Sequence, residues 1–506
     1  MLAAVALAVL ALGSGLRPDA FFVGDPGIKL IAARHALAHP SHPFDIDLPV
    51  IGADPAPLLV DPFFIVHGLH SHAITSELFP LLTAPFLAAA GLRGLYVLPA
   101  LGFLLALAGC GWIGTALDRR RRAAPIAAAA ALTTPLLFYG LEFWEHTLAV
   151  GVATIATALF IRNTGVDDPP AGRNTGGVMP GVFGSGCLFG VAVLLRPEAA
   201  WFAIAVVGAS PLLPQRPSLV AIGAAGAGVA VPVASLGVYS LVHFGTLATP
   251  HLNNAGAILQ DGWLAGRMPI VAAWFLHYSD VNFWRVAPAI VLAAVPLLWG
   301  PRRGGTWFLA TISVMSAALA VLTAPNDGGG QWGPRYLLFA YVPLAVLVAD
   351  ATEIVRFPRA VAIGLVLFIF TAGVWTQRSA YRRLQGAKQT YGHIVDLIDT
   401  TTVPGEYIVT DLWWLDQVAA ASRNAPRFLY AASEERATAA MRQLSLAGAG
   451  PVTVIRSRET DSRGWIAGTC FAEERRQALD VTEVVAIRFR CETAAPTSRR
   501  VSALGG

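Results

Sequence analysis

An all-α polytopic membrane bundle of about eleven transmembrane helices, followed by a small C-terminal α/β domain outside the membrane, is the fold class predicted for these residues. Three observations predict it. Charged residues make up 13% of the 506-residue chain, against roughly 25% in an ordinary soluble protein, and they collect in short segments between long apolar runs. Those runs recur up to residue 377 at lengths near the ~20 residues that cross a bilayer. From residue 378 onward the pattern changes to short helical and strand-like stretches of ordinary polarity.

Taken in order, the apolar runs lie near 2–16, 94–117, 124–141, 147–161, 181–195, 199–213, 219–243, 284–300, 306–324, 336–350 and 360–377. The first lacks the basic segment that opens a secretory signal peptide. It reads as a span or an uncharged signal-anchor, with Arg17 onward outside. Orientation follows from arginine. The segments 118–123, 162–173, 215–216, 301–303 and 355–359 hold most of the Lys and Arg. With Met1 inside, all five fall on the cytoplasmic side. The segments 17–93, 142–146, 196–198, 244–283, 325–335 and 378–506 are then outside. The expected layout is a membrane domain, 1–377, with a long first outer loop, 17–93, and an extracytoplasmic domain, 378–506. The expected location is a bacterial inner membrane.

Within the first loop, Phe63–Val66 and Leu78–Ala90 are too short to cross and are expected to lie at the interface as helices, as is Met268–Tyr278. In the tail, Tyr407–Thr410, Val452–Arg456 and Val484–Arg490 read as strands, and Glu434–Ala447 as an amphipathic helix. Cys110 and Cys187 sit in apolar runs and are expected to pack there. Cys470 and Cys491 can form a disulfide if the tail is outside the cytoplasm.

The net charge of +4 is too mild and scattered for a nucleic-acid partner. No Asp, Glu, Lys or Arg falls in the middle of a proposed span, where a pump or secondary transporter places its sites. The ionisable residues crowd the outer edge, which suits an enzyme working at the membrane surface. Four outer segments carry that chemistry. In FFVGDPGIKL (21–30), Asp25 is either a helix N-cap with Pro26 at the first helical position or a general base, and Lys29 follows one turn later. In EFWEH (142–146), Glu142, Glu145 and His146 stand beside two aromatics that can also serve as interfacial anchors. Arg196-Pro197-Glu198 is a turn with an internal ion pair. In NDGGGQWGPRY (326–336), glycines permit close backbone approach. Arg335, beside Tyr336, is shaped to hold a phosphate, or to snorkel. His35, His39, His42, His67, His70 and His72 enrich the first loop, but their spacing matches no defined metal site, so no metal ligand is assigned.

An acidic residue just past the first span, a second acidic outer turn and a C-terminal extracytoplasmic domain resemble the GT-C glycosyltransferases, in particular the protein-mannosyltransferase-like and aminoarabinose-transferase-like branches. The stretches LLRPEA (194–199) and GQWGPRYLL (330–338) look like segments that recur there. The resemblance covers roughly residues 1–380. It implies a sugar donor linked to polyprenyl phosphate and an envelope glycan, lipid or protein acceptor, with the bilayer as the third partner. It implies a catalytic role for Asp25, with Glu142 or Glu145 at the second acidic position. Lys29, Arg196, Glu198, Arg335 and Tyr336 are expected to bind substrate. A divalent cation is the one cofactor it leaves open. The sequence departs from the family in following Asp25 with Pro26 where many relatives carry a second acid. A lipid-linked polysaccharide ligase or polymerase, which would depend on Arg335 and not on Asp25, and a lipid-linked sugar transporter are the alternatives.

Overall fold

The computed structural model describes residues 1–22, 24–47, 64–67, 70–117, 123–164, 178–247, 266–301, 303–352, 357–458, 463–479 and 483–491. The arginine-bearing segments 118–122 and 165–173 lie outside these. Two compact units emerge. The first comprises 1–18, 32–44 and 73–388; the second comprises 19–31, 45–72 and 389–506. The boundary at 388 lies near the expected change of composition, but the second unit also takes in two pieces of the first outer loop.

The first unit is helical. Its helices include α1 (Leu2–Ser14), α3 (Leu78–Ala90), α4 (Val97–Ala116), α5 (Ala123–Thr133), α6 (Leu136–Gly140), α7 (His146–Thr164), α8 (Val178–Leu195), α9 (Glu198–Ala209), α10 (Leu219–Phe244), α11 (Gly304–Thr323) and α12 (Leu338–Ala351). Helix α2 (Asp25–Ala38) and the 43-residue α13 (Arg359–Thr401) each run from one unit into the other. Five continuous helical stretches among the described residues are long and apolar enough to cross a membrane: Leu78–Ala116, His146–Thr164, Leu219–His243, Gly304–Thr323 and Arg359–Thr401. Shorter apolar helices occupy several of the remaining expected spans, including Leu2–Ser14, Ala123–Thr133 and Met179–Leu195.

Without a hydrophobic force between helices in lipid, tight association needs small residues at the seam. The chain supplies them. Gly102 and Gly109 on α4 face α7, where a methyl added at Gly109 would lie 2.7 Å from Thr154 Cγ2. The Thr147 hydroxyl donates across this seam to the Pro99 carbonyl at 2.8 Å. Gly186 and Gly190 on α8 meet Ala225 and Val229 on α10 in the same way. Nearly every residue of α12 is buried, as expected of a helix that is apolar all round and sits inside a bundle.

The second unit contains a five-stranded sheet, in the order β5-β4-β6-β8-β7: β4 (Tyr407–Thr410), β5 (Arg427–Tyr430), β6 (Val452–Ser457), β7 (Phe471–Leu479) and β8 (Val484–Cys491). Strand β4 pairs parallel with β5 and β6; β8 pairs antiparallel with β6 and β7. Alternation along each strand sends side chains to two faces. Val409, Val454 and Ile487 pack with Met441 and Leu444 of the helix Glu434–Leu446. Ile408, Ile455 and Ala486 pack with Ile394, Leu397 and Ile398 at the end of α13. The sheet is thus covered on both faces, and the α/β expectation for the tail holds. Cys470 and Cys491, whose pairing the sequence leaves open, form a disulfide, Cα–Cα 4.8 Å, between the residue before β7 and the end of β8.

One element is corrected. Phe64–His67, expected as part of an interfacial helix, is strand β2 of a second small sheet in the order β1-β3-β2, with β1 at Ile46–Asp47 and β3 at His70–Ala73. A four-residue FIVH stretch is too short to nucleate a helix, and its aromatic and β-branched residues suit a strand. Leu78–Ala90 is helical as expected, and Met268–Tyr278 is a short helix followed by a wider turn that ends at Leu276.

Candidate active site

Both acidic residues of the 142–146 turn are buried, at 0% and 2% exposure for Glu142 and Glu145, and they face different partners. The turn is short because α6 ends at Gly140, the Trp144 amide donates to the Glu142 carbonyl at 2.8 Å, and α7 starts at His146. Glu142 Oε2 lies 2.7 Å from Lys388 Nζ on α13, and Lys388 is itself 1% exposed. Lys388 also donates to the Tyr96 hydroxyl at 3.0 Å, and that hydroxyl donates to the Pro18 carbonyl at 3.1 Å. Glu142 is therefore held in a buried ion pair that ties the turn to α13.

Glu145 belongs to a second constellation. Arg196 Nη1 donates to Glu145 Oε1 at 3.2 Å, while its Nη2 and Nε grip both oxygens of Glu198 at 2.6 and 3.1 Å. This is the two-pronged geometry in which a guanidinium fits a carboxylate best. Burial works against the charge of Arg196, but Glu198 and then Glu145 and Tyr336 outweigh it and push its pKa further above the ordinary range. The expected internal Arg196–Glu198 pair is present, and Glu145 joins it. With two carboxylates on it, Arg196 organises the cluster.

The Tyr336 ring lies beneath two cations, Arg335 at 4.9 Å and Arg196 at 5.8 Å from the centroid. Arg335 Nη2 donates to the Tyr336 hydroxyl at 2.9 Å, and that hydroxyl donates to Asn326 Oδ1 at 3.4 Å. The glycine-rich segment around them is tied down from several sides. Tyr139 donates to the Gly333 carbonyl at 3.2 Å, Trp274 Nε1 to the Asp327 carbonyl at 2.7 Å, and Arg383 Nη2 to the Gly330 carbonyl at 2.6 Å. Gly328, Gly329 and Gly333 all have positive φ, which glycine adopts without steric cost. Asp280 anchors the same region through Arg285 at 2.8 Å and through Arg383. This rim brings together Glu145, Arg196, Glu198, Arg335 and Tyr336, five of the residues expected from sequence. Chemically it sets the Arg335 guanidinium beside a tyrosine hydroxyl, while the Arg196 guanidinium is matched by two carboxylates.

Asp25 and Lys29 belong to the second unit. Helix α2 begins at Asp25, so the carboxylate stands in the first turn with Pro26 next to it, where a negative charge complements the helix dipole. Lys29 is 1% exposed. Gly24 and Gly27 pack directly on Gln417, in the short helix Leu415–Val418 of the C-terminal domain; a side-chain carbon at Gly27 would run into the Gln417 carbonyl. The first turn of α2, with Asp25, is thus seated on Gln417. Gly27→Ala is expected to lose ~1–3 kcal/mol of stability through overpacking, with Asp25 displaced. Gly386→Ala, where nothing lies within 4 Å, is the control, and thermal unfolding of both variants checks it.

Sequence reasoning missed Lys388, Gln417 and Asp416. Thr376, Ala380, Leu384 and Lys388 recur every four residues and are all buried; a lysine in line with such a stripe was the available signal. Asp416 is 5% exposed, and burial raises its pKa to about 7 against amide hydrogen bonds that lower it. A carboxyl whose folded pKa is raised destabilises the fold as pH climbs from its ordinary value through 7. The second unit should therefore be more stable at pH 5 than at pH 8. Asp416→Asn should flatten that slope and stabilise the protein at pH 8 by up to about 4 kcal/mol, read by hydrogen exchange in β4 and β6 of the full chain.

No group of three or more His, Cys, Asp or Glu poised to hold a metal ion is present among the described residues. The rings of His35, His39 and His42 cluster at centroid distances of 4.6–6.0 Å, and His72 Nδ1 lies 3.6 Å from Asp45. The side chains of His67 and His70 lie outside those described. Glu145 and Glu198, the carboxylates of the rim, are turned to Arg196.

No family model matches this chain, and no curated protein matches it by sequence. Solved structures do match by fold. ArnT from Cupriavidus metallidurans bound to undecaprenyl phosphate aligns at a TM-score of 0.59 with 13% identity, over 96% of this chain and 97% of that one. The Archaeoglobus fulgidus oligosaccharyltransferase tethered to an acceptor peptide aligns at 0.52 with 14% identity, over 90% of this chain and 69% of that one. The same archaeal enzyme, AglB, with an inhibitory peptide and a dolichol-phosphate aligns at 0.50 with 13% identity. The chain shares the fold of these solved structures, as the resemblance implied.

Proposed function

We propose that this chain is an integral-membrane glycosyltransferase of the bacterial inner membrane, with about eleven crossings. It moves one sugar from a polyprenyl-phosphate donor to a hydroxyl of an envelope acceptor on the extracytoplasmic face. The observation that carries this reading is the rim of Glu145, Arg196, Glu198, Arg335 and Tyr336, which gathers two guanidinium groups and two carboxylates around one tyrosine ring. Support comes from the shared fold with proteins whose structures hold undecaprenyl phosphate or dolichol-phosphate.

In the proposed reaction Asp25 accepts the acceptor hydroxyl proton as general base. The oxygen attacks the anomeric carbon, and a new C–O bond forms with inversion. The bond from that carbon to the phosphate oxygen breaks, its electron pair stays on the phosphate, and the lipid phosphate leaves. Arg335 takes the charge that grows on that phosphate. Arg196, held by two carboxylates, fixes Tyr336 and Glu145 in place, and Glu145 orients the acceptor. Lys29 adds positive charge in the second unit.

Arg335→Ala is expected to lower transfer by roughly 10²–10³-fold, the usual loss when one charge-stabilising donor is removed. Arg335→Lys should recover only part, because an ammonium lacks the fork. Initial rates with a labelled polyprenyl-phosphate sugar check this; wild-type rates in Arg335→Ala would remove the arginine from the mechanism.

A further inference from the structure

We propose a second lipid site in the first unit: the cavity between α1, α4 and the end of α6 binds one acyl chain of a phospholipid whose phosphate rests on Arg17 and Arg93. The cavity measures about 480 Å³. Its apolar length is formed by Ala6, Leu10 and Gly13 from α1 and by Val97, Leu101 and Leu104 from α4. Leu10 and Leu101 are exposed at 66% and 44%, so in a bilayer the cavity opens sideways onto hydrocarbon, and a chain can enter without crossing water.

Polarity is confined to one end. Arg17 follows the C-terminal end of α1, and Arg93 and Tyr96 precede the N-terminal end of α4. The two helices therefore present their basic ends together and run apolar away from them. Behind Tyr96 stands Lys388, already matched by Glu142. A tail in the groove with an anionic head at its basic end complements the two halves of the cavity, and guanidinium groups fit phosphate well.

The volume selects the occupant. At roughly 30 Å³ for a water-sized group, 480 Å³ holds about sixteen such groups. That is the size of one ordinary acyl chain. The site is also separate from the arginine rim, because the 139–146 turn stands between them with two faces. Gly140 and Leu141 line the cavity, whereas the Tyr139 hydroxyl bonds Gly333 and Glu145 bonds Arg196. The site does not depend on the proposed transfer reaction.

The test is retention and titration of phosphatidylglycerol by the full-length protein purified in detergent. Three proteins are compared, wild type, Arg17→Gln/Arg93→Gln and Ala6→Phe, with undecaprenyl phosphate as a second ligand. Wild type should bind one equivalent. The head-group variant should weaken it at least tenfold, and so should the filled cavity, without change in undecaprenyl phosphate binding. Equal phosphatidylglycerol binding by all three proteins would overturn the site, leaving only a nonspecific lipid annulus. Loss of undecaprenyl phosphate binding in the same variants, with phosphatidylglycerol unaffected, would overturn the choice of occupant. Should one variant fail to fold, the other decides, since one removes charge at the mouth and the other adds volume in the apolar length.

Discussion

Asp25→Asn is expected to lower sugar transfer by about 10²–10⁴-fold, the range lost when a positioned general base is removed, while the protein stays folded. The substitution keeps the size of the side chain and its place in the first turn of α2. Asn is also well tolerated at a helix start. What it removes is a carboxylate able to take the acceptor proton. Because Gly24 and Gly27 seat this turn on Gln417, the test needs a folding control, and an unchanged melting temperature supplies it. A folded Asp25→Asn protein with undiminished transfer would send the search for the base to Glu145. Glu142 is the weaker substitute, since it is matched to Lys388.

The second large effect is on stability. Lys388→Met leaves the Glu142 carboxylate in a site that is 0% exposed, and removing one partner of a buried ion pair typically costs about 3–5 kcal/mol. The double variant Lys388→Met/Glu142→Gln carries no stranded charge and should regain most of the loss. Thermal unfolding of wild type, both single variants and the double variant measures the coupling. Additive losses would mean that the 2.7 Å pair contributes nothing as a pair.

The contrast between these residues explains what was legible in the sequence. Apolar run lengths are a local signal, and helical stretches occupy most of the runs, five of those among the described residues being long and apolar enough to cross a membrane. Strand β4 was read at its observed limits, Tyr407–Thr410, because its neighbours break the pattern on both sides. Strand β7, Phe471–Leu479, was not read: it is an edge strand whose middle, EERRQ, faces solvent, so it carries no alternating apolar signal. At the site, the acidic turn and the RPE and PRY segments were visible as unusual chemistry at the ends of apolar runs. Their connections were not. The Glu145–Arg196 bond joins residues 51 apart, and the Lys388–Tyr96 bond joins residues 292 apart. Such distances are set by which helices pack together, through glycine seams such as those of α4 and α8, and no local pattern encodes them. The seating of Asp25 on Gln417 was hidden for the same reason.

The most direct measurement is a transfer assay on purified protein. Radiolabelled mannosyl-, arabinosyl- and glucosyl-polyprenyl phosphates are offered as donors together with an envelope acceptor fraction, and both labelled acceptor and released lipid phosphate are quantified. A polyprenyl-phosphate glycosyltransferase transfers label from at least one donor and releases one lipid phosphate for each sugar moved, and Arg335→Ala and Asp25→Asn both suppress it. A folded wild-type protein that neither transfers nor hydrolyses any of these donors would contradict that function.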